Sequence, residues 1–337
     1  MSITAVHHRS IMRLEDIGFY TLSNERARTS GPASRLMRAE IILTDRCNFR
    51  CPYCRGVRSE ARGDMPISSV LDRLDFCAAH RLYAVRFSGG EPTVYPHLIA
   101  AVEHAKGRGI EKIALSTNGS ANPSLYGALL QAGVNDFSIS LDACCSSTGD
   151  TMAGVRGAWQ KVIDNIALLS SVTYVTVGIV LTDNNTPEAA KTIRLAHNLG
   201  VADIRIIPAA QCGRVLSLEG ADILPGHPIL AYRMNRMKAG LSVRGLTDTD
   251  HNRCPLIHDD LIFAGEYHYP CIIHFRESGQ AIGRWGGDIR KERSTYALTH
   301  DTQADQICRR NCLDVCVEYN NVWAKTNESC MAEIDAL

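Results

Sequence analysis

The sequence predicts an α/β fold: six β/α units in a partial parallel (β/α)6 barrel, followed by a small cysteine-rich domain. Along residues 37–210, apolar β-branched runs typical of strands alternate with segments of helical periodicity. This alternation is typical of a parallel sheet with right-handed crossovers. Eight units would close a barrel, so six indicate an open or partial one. Beyond residue 210 the alternation stops and cysteines cluster instead.

The individual elements follow from local patterns. The predicted strands are residues 39–44, 83–88, 112–117, 136–141, 174–181 and 204–208. The predicted helices are residues 67–80, 96–108, 123–131, 159–170 and 187–198. Gly109, Gly133 and Gly200 follow three of these helices, as helix stops do. Loops at the carboxyl ends of the strands form the functional face of such folds.

The chain divides into four predicted parts. Residues 1–36 form an N-terminal extension that packs on the core, and residues 37–210 form the barrel. Residues 211–250 are a connecting segment with one helix, at 228–238. Residues 251–337 form the cysteine-rich domain and tail. Because this last part has little apolar periodicity, we expect metal ligation to hold it together.

Composition narrows the functional class. Hydrophobic residues make up 45% of 337 residues, enough for a large core, and the formal net charge is zero. Neutral charge without a dense basic run argues against nucleic acid or an anionic membrane as partner. No signal peptide and no 18-residue apolar run stand out, so a cytoplasmic location is expected. Thirteen cysteines in tight clusters favour metal or cluster ligation over disulfides.

The first cysteine cluster follows the first predicted strand. Cys47, Cys51 and Cys54 form a C-x3-C-x2-C motif. Thiolates are the usual ligands of a [4Fe–4S] cluster, and three of them leave one iron open for a small molecule. A structural zinc site with a fourth ligand from elsewhere is the alternative. Cys77 lies on the apolar face of a predicted helix and is interpreted as core.

With aromatic Tyr53 inside it, this motif resembles the signature of the radical S-adenosylmethionine (SAM) superfamily. Further motifs match in order at strand ends: residues 88–92 (SGGEP), 116–119 (STNG) and 138–142 (SISLD). The resemblance implies a partial TIM-like barrel and a [4Fe–4S] cluster that binds SAM through its fourth iron. The cofactor-binding residues that it implies are Tyr53, Ser88, Gly89, Gly90, Glu91, Thr117, Asn118, Ser138, Ser140, Asp142, Leu181 and Pro208.

The second cysteine cluster resembles the auxiliary-cluster region called twitch, or SPASM in its longer form. That region occurs in radical SAM enzymes such as molybdenum cofactor biosynthesis protein A. The resemblance implies one auxiliary [4Fe–4S] cluster, with zinc as the alternative. Cys330 is interpreted as an incidental thiol. The predicted ligands are Cys254, Cys271 and two or three of Cys308, Cys312 and Cys316.

The resemblance implies an oxygen-sensitive enzyme that cleaves SAM to methionine and a 5′-deoxyadenosyl radical. That radical abstracts hydrogen from a C–H bond of a small-molecule or peptide substrate. The electron would come from a one-electron reductant such as flavodoxin or ferredoxin. The outcome stays open between oxidation, bond formation and epimerisation. For epimerisation, the candidate hydrogen-atom donors are Cys144, Cys145 and Cys212.

Other interpretations remain at this stage. One is radical SAM modification of nucleic acid or protein, which the neutral charge disfavours. Another is a non-catalytic iron–sulfur or zinc module, which would have no use for the strand-end motifs. Arg205 and Arg276 are candidates for holding an anionic substrate, although lone arginines usually form ion pairs. Four histidines near the second cluster are interpreted as mostly structural: His251, His258, His268 and His274.

Overall fold

The computed structural model describes residues 24–56, 59–210, 218, 220 and 224–334, with side chains through Asn327. Its strands are β1 Arg38–Thr44, β2 Ala84–Gly89, β3 Lys112–Thr117, β4 Asp136–Ser140, β5 Tyr174–Leu181, β6 Asp203–Pro208, β7 Asp260–Ala264, β8 Tyr267–Tyr269 and β9 Gly283–Arg284. Its helices are α1 Asn24–Thr29, α2 Ile67–Ala79, α3 Leu98–Gly107, α4 Pro123–Ala132, α5 Ser146–Ala153, α6 Ala158–Ser170, α7 Ala189–Asn198, α8 Pro228–Lys238, α9 Ile272–Arg276, α10 Ile289–Thr299, α11 Gln306–Asn311 and α12 Asp314–Ile334.

The strands form one mixed sheet in the order β6-β5-β4-β3-β2-β1-β7-β8-β9. Strands β1 to β6 run parallel, each beside its sequence neighbour, which confirms the predicted α/β barrel architecture. Each predicted barrel strand ends within one residue of the observed strand. No element was predicted between the strand at 136–141 and the helix at 159–170, where the structure has the short helix α5.

The outer face of the barrel sheet is apolar and packs against the helices. Alternate strand residues such as Ile41, Phe87, Leu115 and Phe137 are fully buried in one continuous core. Helices α2, α3, α4, α6 and α7 contribute their own buried apolar residues to the same core. Burial of apolar surface is the main stabilising contribution in folding, so this layer holds the barrel together.

The inner face of the same strands is polar and charged. Glu40, Arg86, Ala114 and Asp136 lie side by side in register across β1 to β4. Because strand side chains alternate between faces, these residues point away from the helices. Barrel interiors are normally filled with branched apolar residues. Buried charges in their place indicate an interior shaped for a ligand rather than for packing alone.

The C-terminal region joins the barrel through the parallel pairing of β7 with β1, which the sequence did not predict. At the β7–β8 turn, a Cβ on Gly265 would lie 2.3 Å from the carbonyl oxygen of Glu60, and Gly265 has a φ of +56°. The buried Arg73 guanidinium of α2 donates to the Gly265 carbonyl at 2.7 Å and lies 4.7 Å from the Trp285 ring centre. The antiparallel pair of β7 and β8 is therefore held against the barrel.

The described part of the N-terminal extension packs against the C-terminal region. Ala27 of α1 is buried in a small cluster with Leu256 and Tyr319. Arg26 donates two hydrogen bonds to the buried Asp259 carboxylate, at 2.8 and 2.6 Å. No helix among the described residues is both long and apolar enough to cross a lipid bilayer.

We expect Asp203→Ala to destabilise the fold by about 2 kcal/mol, because three backbone N–H groups lose their acceptor. The Asp203 carboxylate, at the start of β6, accepts from Ile204, Ile229 and Leu230 at 2.7, 2.9 and 3.3 Å. Two of these donors form the first turn of α8. Urea unfolding measures the effect. Asp248→Ala, at an exposed carboxylate, is the control. An equal effect of both changes would contradict this role for Asp203.

Candidate active site at the carboxyl edge of the barrel

The first cysteine motif forms a loop directly after β1. A turn hydrogen bond joins the Cys54 N–H to the Cys51 carbonyl at 3.0 Å. The Cys47 and Cys54 sulfurs accept from the N–H groups of Phe49 and Gly56 at 3.4 and 3.3 Å. All three cysteines line one cavity of about 380 Å³, called the main cavity below. The loop thus presents three free thiols to the same space.

The three thiols influence one another's charge. Burial raises the pKa of Cys51 to about 11, and the carboxylate of Asp142 and the neighbouring sulfurs add to the rise. Burial also raises the pKa of Cys47, with a contribution from Cys54. Three thiolates lining one cavity repel each other unless a cation lies between them. The donor set therefore fits a [4Fe–4S] cluster bound through three cysteines.

Two glycines at the end of β2 bring the second strand end against this loop. A Cβ on Gly89 would lie 2.3 Å from the Thr44 carbonyl oxygen, and one on Gly90 would lie 2.2 Å from that of Arg46. The Gly90 and Glu91 N–H groups donate to the same two carbonyls at 2.7 and 2.8 Å. The backbones can approach this closely only without side chains. The glycines therefore set the position of the cysteine loop.

Glu91 links the ends of β2 and β3. Its Oε1 accepts from the Thr93 N–H and from the hydroxyls of Thr93 and Thr117, at 3.1, 2.7 and 2.7 Å. Its Oε2 accepts from the Asn118 N–H at 2.7 Å. Burial raises the pKa of Glu91, and these donors oppose that rise. Because both oxygens are engaged within the protein, the side chain acts by fixing the strand ends.

Two further contacts join the cysteine loop to the later strands. The Tyr53 hydroxyl hydrogen-bonds Asp142 after β4, whose carboxylate also accepts from the Val180 N–H at 2.7 Å. Burial raises the pKa of Asp142 to about 6. The Asn118 amide donates to Asn48 at 2.7 Å. Asn48 was not predicted as a site residue; its position inside the cysteine motif was the available signal.

Most of the predicted cofactor-binding residues meet at the main cavity. Ser138, Leu181 and Pro208 do not line it. Leu181 and Pro208 fall on the outer, helix-facing positions of β5 and β6, and their neighbours Val180 and Ile207 line the cavity instead. Ser138 faces inward but is buried. The predicted residues that line the cavity are Tyr53, Ser88, Gly89, Gly90, Glu91, Thr117, Asn118, Ser140 and Asp142.

The two candidate hydrogen-atom donors that the structure describes do not line this cavity. Cys144 and Cys145 are not among the residues lining the main cavity. The Cys144 sulfur is 3.8 Å from the Glu188 carboxylate. The Cys145 sulfur lies 3.3 Å from the Ser147 hydroxyl, and this contact and the one with Thr148 lower its pKa to about 7. Cys212 lies outside the described residues.

The second cysteine cluster surrounds a cavity of about 110 Å³, called the cysteine cavity below. Cys312 hydrogen-bonds Cys316, which raises the pKa of Cys312 and lowers that of Cys316. Five thiols around one space exceed the four that a [4Fe–4S] cluster needs, so the residues fit such a cluster. The side chain of Cys330 lies outside those described. The five cysteines lining the cavity are Cys254, Cys271, Cys308, Cys312 and Cys316.

A more closely spaced group of possible metal ligands lies at the cysteine cavity. Single atoms of His274, His300, Asp305 and Cys308 lie within 4.8 Å of one another, a spacing that a single zinc ion could use. The Nε2 atoms of His274 and His300 are 2.9 and 3.2 Å from the Asp305 carboxylate. If His274 bound zinc through Nε2, its buried Nδ1 would need an acceptor, and this atom has no hydrogen-bond partner among the described residues. The iron–sulfur interpretation of Cys308 is therefore the better one.

The other histidines have structural contacts. His258 and His268 are buried, and burial with nearby arginines lowers the pKa of each to about 4. His268 also contacts the Glu292 carboxylate at 2.8 Å. His251 accepts the Arg253 N–H at 3.1 Å. The burial of His258 and His268 and the contacts of His268 and His251 support the packing of the C-terminal region.

The two cavities share a wall. Side chains from β1, β2 and β6 face both, and so do residues at α9 and before α12. The two cysteine sets therefore lie on opposite sides of one layer of side chains. The shared residues are Glu40, Arg86, Arg205, Ile207, Ile272, Ile273 and Leu313.

The chain is similar in sequence to known proteins. The sequence model of the Radical SAM superfamily matches residues 41–196. A Saccharolobus solfataricus protein named "Probable GTP 3′,8-cyclase" is 35% identical over 172 residues, 50% of this chain and 55% of that protein. An AdoMet-dependent heme synthase of Methanosarcina barkeri is 28% identical over 176 residues, 51% of this chain and 50% of its own. The matched stretch thus spans about half the length of these relatives.

Solved structures extend the likeness in fold. Streptococcus suis SuiB bound to precursor peptide SuiA has a TM-score of 0.58 at 14% identity, over 77% of this chain and 64% of its own. Native anSMEcpe with bound AdoMet has a TM-score of 0.56 at 13% identity, over 89% of this chain and 100% of its own. At these identities the likeness shows the fold alone.

We expect Gly90→Ala to lower the melting temperature and the iron content after reconstitution, because the added Cβ meets the Arg46 backbone. Strain of this kind costs roughly 1–3 kcal/mol. Gly127→Ala is the matched control: it lies within α4 with no atom within 4 Å of the added Cβ. That change should raise stability by about 0.5–1 kcal/mol. Wild-type iron content and stability in Gly90→Ala would contradict the close-approach argument.

Proposed function

Because the sequence model of the Radical SAM superfamily matches residues 41–196, we propose that the chain reductively cleaves SAM in the main cavity and abstracts hydrogen from a bound substrate. The observation that supports the proposal is that residues from several strand ends line the same cavity. The three cysteines, the Gly89–Gly90 turn, Asn118 and Asp142 all line one cavity. A zinc module or a storage site for iron would not require strand-end glycines and an asparagine beside the thiols.

Cys47, Cys51 and Cys54 would hold the SAM-binding [4Fe–4S] cluster. When bound and reduced, the cluster would supply the electron that cleaves SAM to methionine and a 5′-deoxyadenosyl radical, which would take a substrate hydrogen atom. Gly89 and Gly90 let the cysteine loop pack against the end of β2, and both line the cavity in which the cofactor would lie. The Tyr53–Asp142 hydrogen bond holds the cysteine loop against β4. The barrel wall excludes water and competing hydrogen donors.

The cysteine cavity supports a redox outcome. It is separated from the main cavity by a single shared layer of side chains, a short path for an electron leaving the substrate. Cys144 and Cys145 lie outside the main cavity, so these two thiols have less geometric support as hydrogen-atom donors for epimerisation. We therefore propose oxidation or bond formation, with an auxiliary [4Fe–4S] cluster as the electron acceptor. A flavodoxin or ferredoxin would deliver the initiating electron.

The substrate is proposed to be a small molecule or a peptide. The SuiB structure holds a precursor peptide, which makes a peptide plausible in this fold. The two curated relatives carry names for small-molecule reactions, and each matches only about half of its length here. Modification of nucleic acid has no support in the net charge of zero.

The test is formation of 5′-deoxyadenosine. Anaerobically reconstituted, dithionite-reduced protein with SAM should release it, and Cys47→Ala should reduce the rate at least about 100-fold, because a cluster ligand is lost. Cys77→Ala, at a cysteine buried in the outer core, should retain the rate of the wild type. If the wild type forms no 5′-deoxyadenosine above a protein-free blank, the proposal fails.

A further inference from the structure

Another group of possible metal ligands lies apart from both cavities. Its members are Cys144 and Cys145, between β4 and α5, and Glu188, directly before α7. One ligand atom from each lies within 4.8 Å of the other two, and the Cys144 sulfur is 3.8 Å from the Glu188 carboxylate. Ligand atoms around a tetrahedral zinc ion are about 3.5–3.8 Å apart, so these three atoms need only a small adjustment to bind one ion.

Asn185 holds together the two segments that carry these side chains. This buried residue donates from its Nδ2 to the Asp142 and Val180 carbonyls at 2.9 and 2.8 Å, and so joins the segment after β4 to the end of β5. Its own carbonyl accepts from the Glu188 N–H at 3.0 Å. Because Asp142 lies just before Cys144 in the chain, these hydrogen bonds set the position of the thiols relative to the carboxylate.

Cys145 lies where a thiolate is favoured. It occupies the position directly before the first turn of α5, and the positive end of a helix favours a negative charge. The hydroxyls of Ser147 and Thr148 lie 3.3 and 3.5 Å from its sulfur and can donate to it once its proton is lost. Hydrogen bonds of this kind from neighbouring groups commonly support the ligands of a metal ion.

The charges within this group favour a bound cation. Burial raises the pKa of Cys144, and the charges of Glu188 and Cys145 add to that rise, whereas Lys191 opposes it. In their charged forms the two thiols and the carboxylate therefore repel one another. A divalent cation between them removes this repulsion. Two sulfurs and one oxygen suit zinc better than magnesium or calcium, which prefer oxygen ligands alone.

We propose that Cys144, Cys145 and Glu188 bind one zinc ion, with water or another small ligand in the fourth position. Neither thiol lines the main cavity or the cysteine cavity, so the two proposed iron–sulfur clusters do not need them. The ion would join the segment after β4 to the start of α7. Because Asp142 in that segment and residues of the adjoining α5 line the main cavity, zinc would stabilise one wall of this cavity.

The experiment uses anaerobically reconstituted protein, with its clusters loaded and a phosphine reductant present, equilibrated with zinc sulfate and then desalted. Mass spectrometry of the metals should find one more zinc ion per chain in the wild type than in the double variant Cys144→Ser/Cys145→Ser. X-ray absorption at the zinc edge should show two sulfur ligands at about 2.3 Å and oxygen ligands at about 2.0–2.2 Å. Competition with a chromophoric chelator measures the zinc affinity of each variant.

Cys144→Ser, Cys145→Ser and Glu188→Gln should each weaken zinc binding at least about tenfold, because each change removes a charged ligand. Two matched controls should bind zinc as the wild type does. Cys77→Ala removes a thiol that is buried in the outer core, and Glu103→Gln neutralises an exposed carboxylate on α3.

The inference is wrong if the wild type holds no more zinc than the double variant, or if the zinc that it holds has four sulfur ligands. Zinc in an incompletely loaded cluster site would remain in the double variant, so the comparison removes it. Iron content and visible absorbance verify that the clusters of all variants are equally loaded. Because none of these measurements requires turnover, a wild type that fails to cleave SAM defeats the proposed function without deciding whether zinc binds.

Discussion

The parallel pairing of β1 with β7 is the contact on which the arrangement of both cysteine sets depends. β1 leads directly into Cys47, and β7 lies in the chain between Cys254 and Cys271. The register Arg38↔Asp260 to Ile42↔Ala264 fixes the two strands relative to each other. At the start of that register, the Arg38 guanidinium binds the Asp260 carboxylate at 2.8 Å. The distance between the two proposed redox centres is thereby set by backbone hydrogen bonds rather than by a mobile linker.

Stability and function occupy opposite faces of the same sheet. The helix-facing side carries the continuous apolar core, including Ile41, Phe87 and Phe137. The inward-facing side carries Glu40, Arg86 and Asp136, whose burial costs free energy that apolar residues would not cost. Because the outer layer stabilises the barrel, the inner face is free to hold charges suited to a cofactor and substrate. The strands tolerate this division since successive side chains alternate between faces.

Much of the architecture was predictable because its signals are local. Apolar runs, helix periodicity and strand-end motifs placed the six barrel strands and most of the residues around the main cavity. The pairing of β1 with β7 was not predictable, since nothing in either strand specifies a partner more than two hundred positions away. The outward orientation of the Leu181 and Pro208 side chains was not predicted, for a different reason. A continuous apolar strand such as β5 does not reveal which alternate positions point inward, and only the register settles it. The inward charges Glu40, Arg86 and Arg205 did carry a signal, because each is the one charged residue of its predicted strand, at 39–44, 83–88 and 204–208.

The long separation between β1 and β7 has a consequence for biosynthesis. Arg38 and Asp260 are 222 positions apart, so β1 leaves the ribosome well before its outer neighbour exists. At roughly 5–20 residues per second, that interval lasts about 10 to 45 s. During it, the outer edge of β1 offers unpaired N–H and C=O groups to any other strand. The thiols that follow β1 are translated at the start of the same interval. A nascent chain therefore passes through a stage with its first metal-binding loop made and its sheet edge open, a stage suited to chaperone binding and exposed to mispairing with another copy.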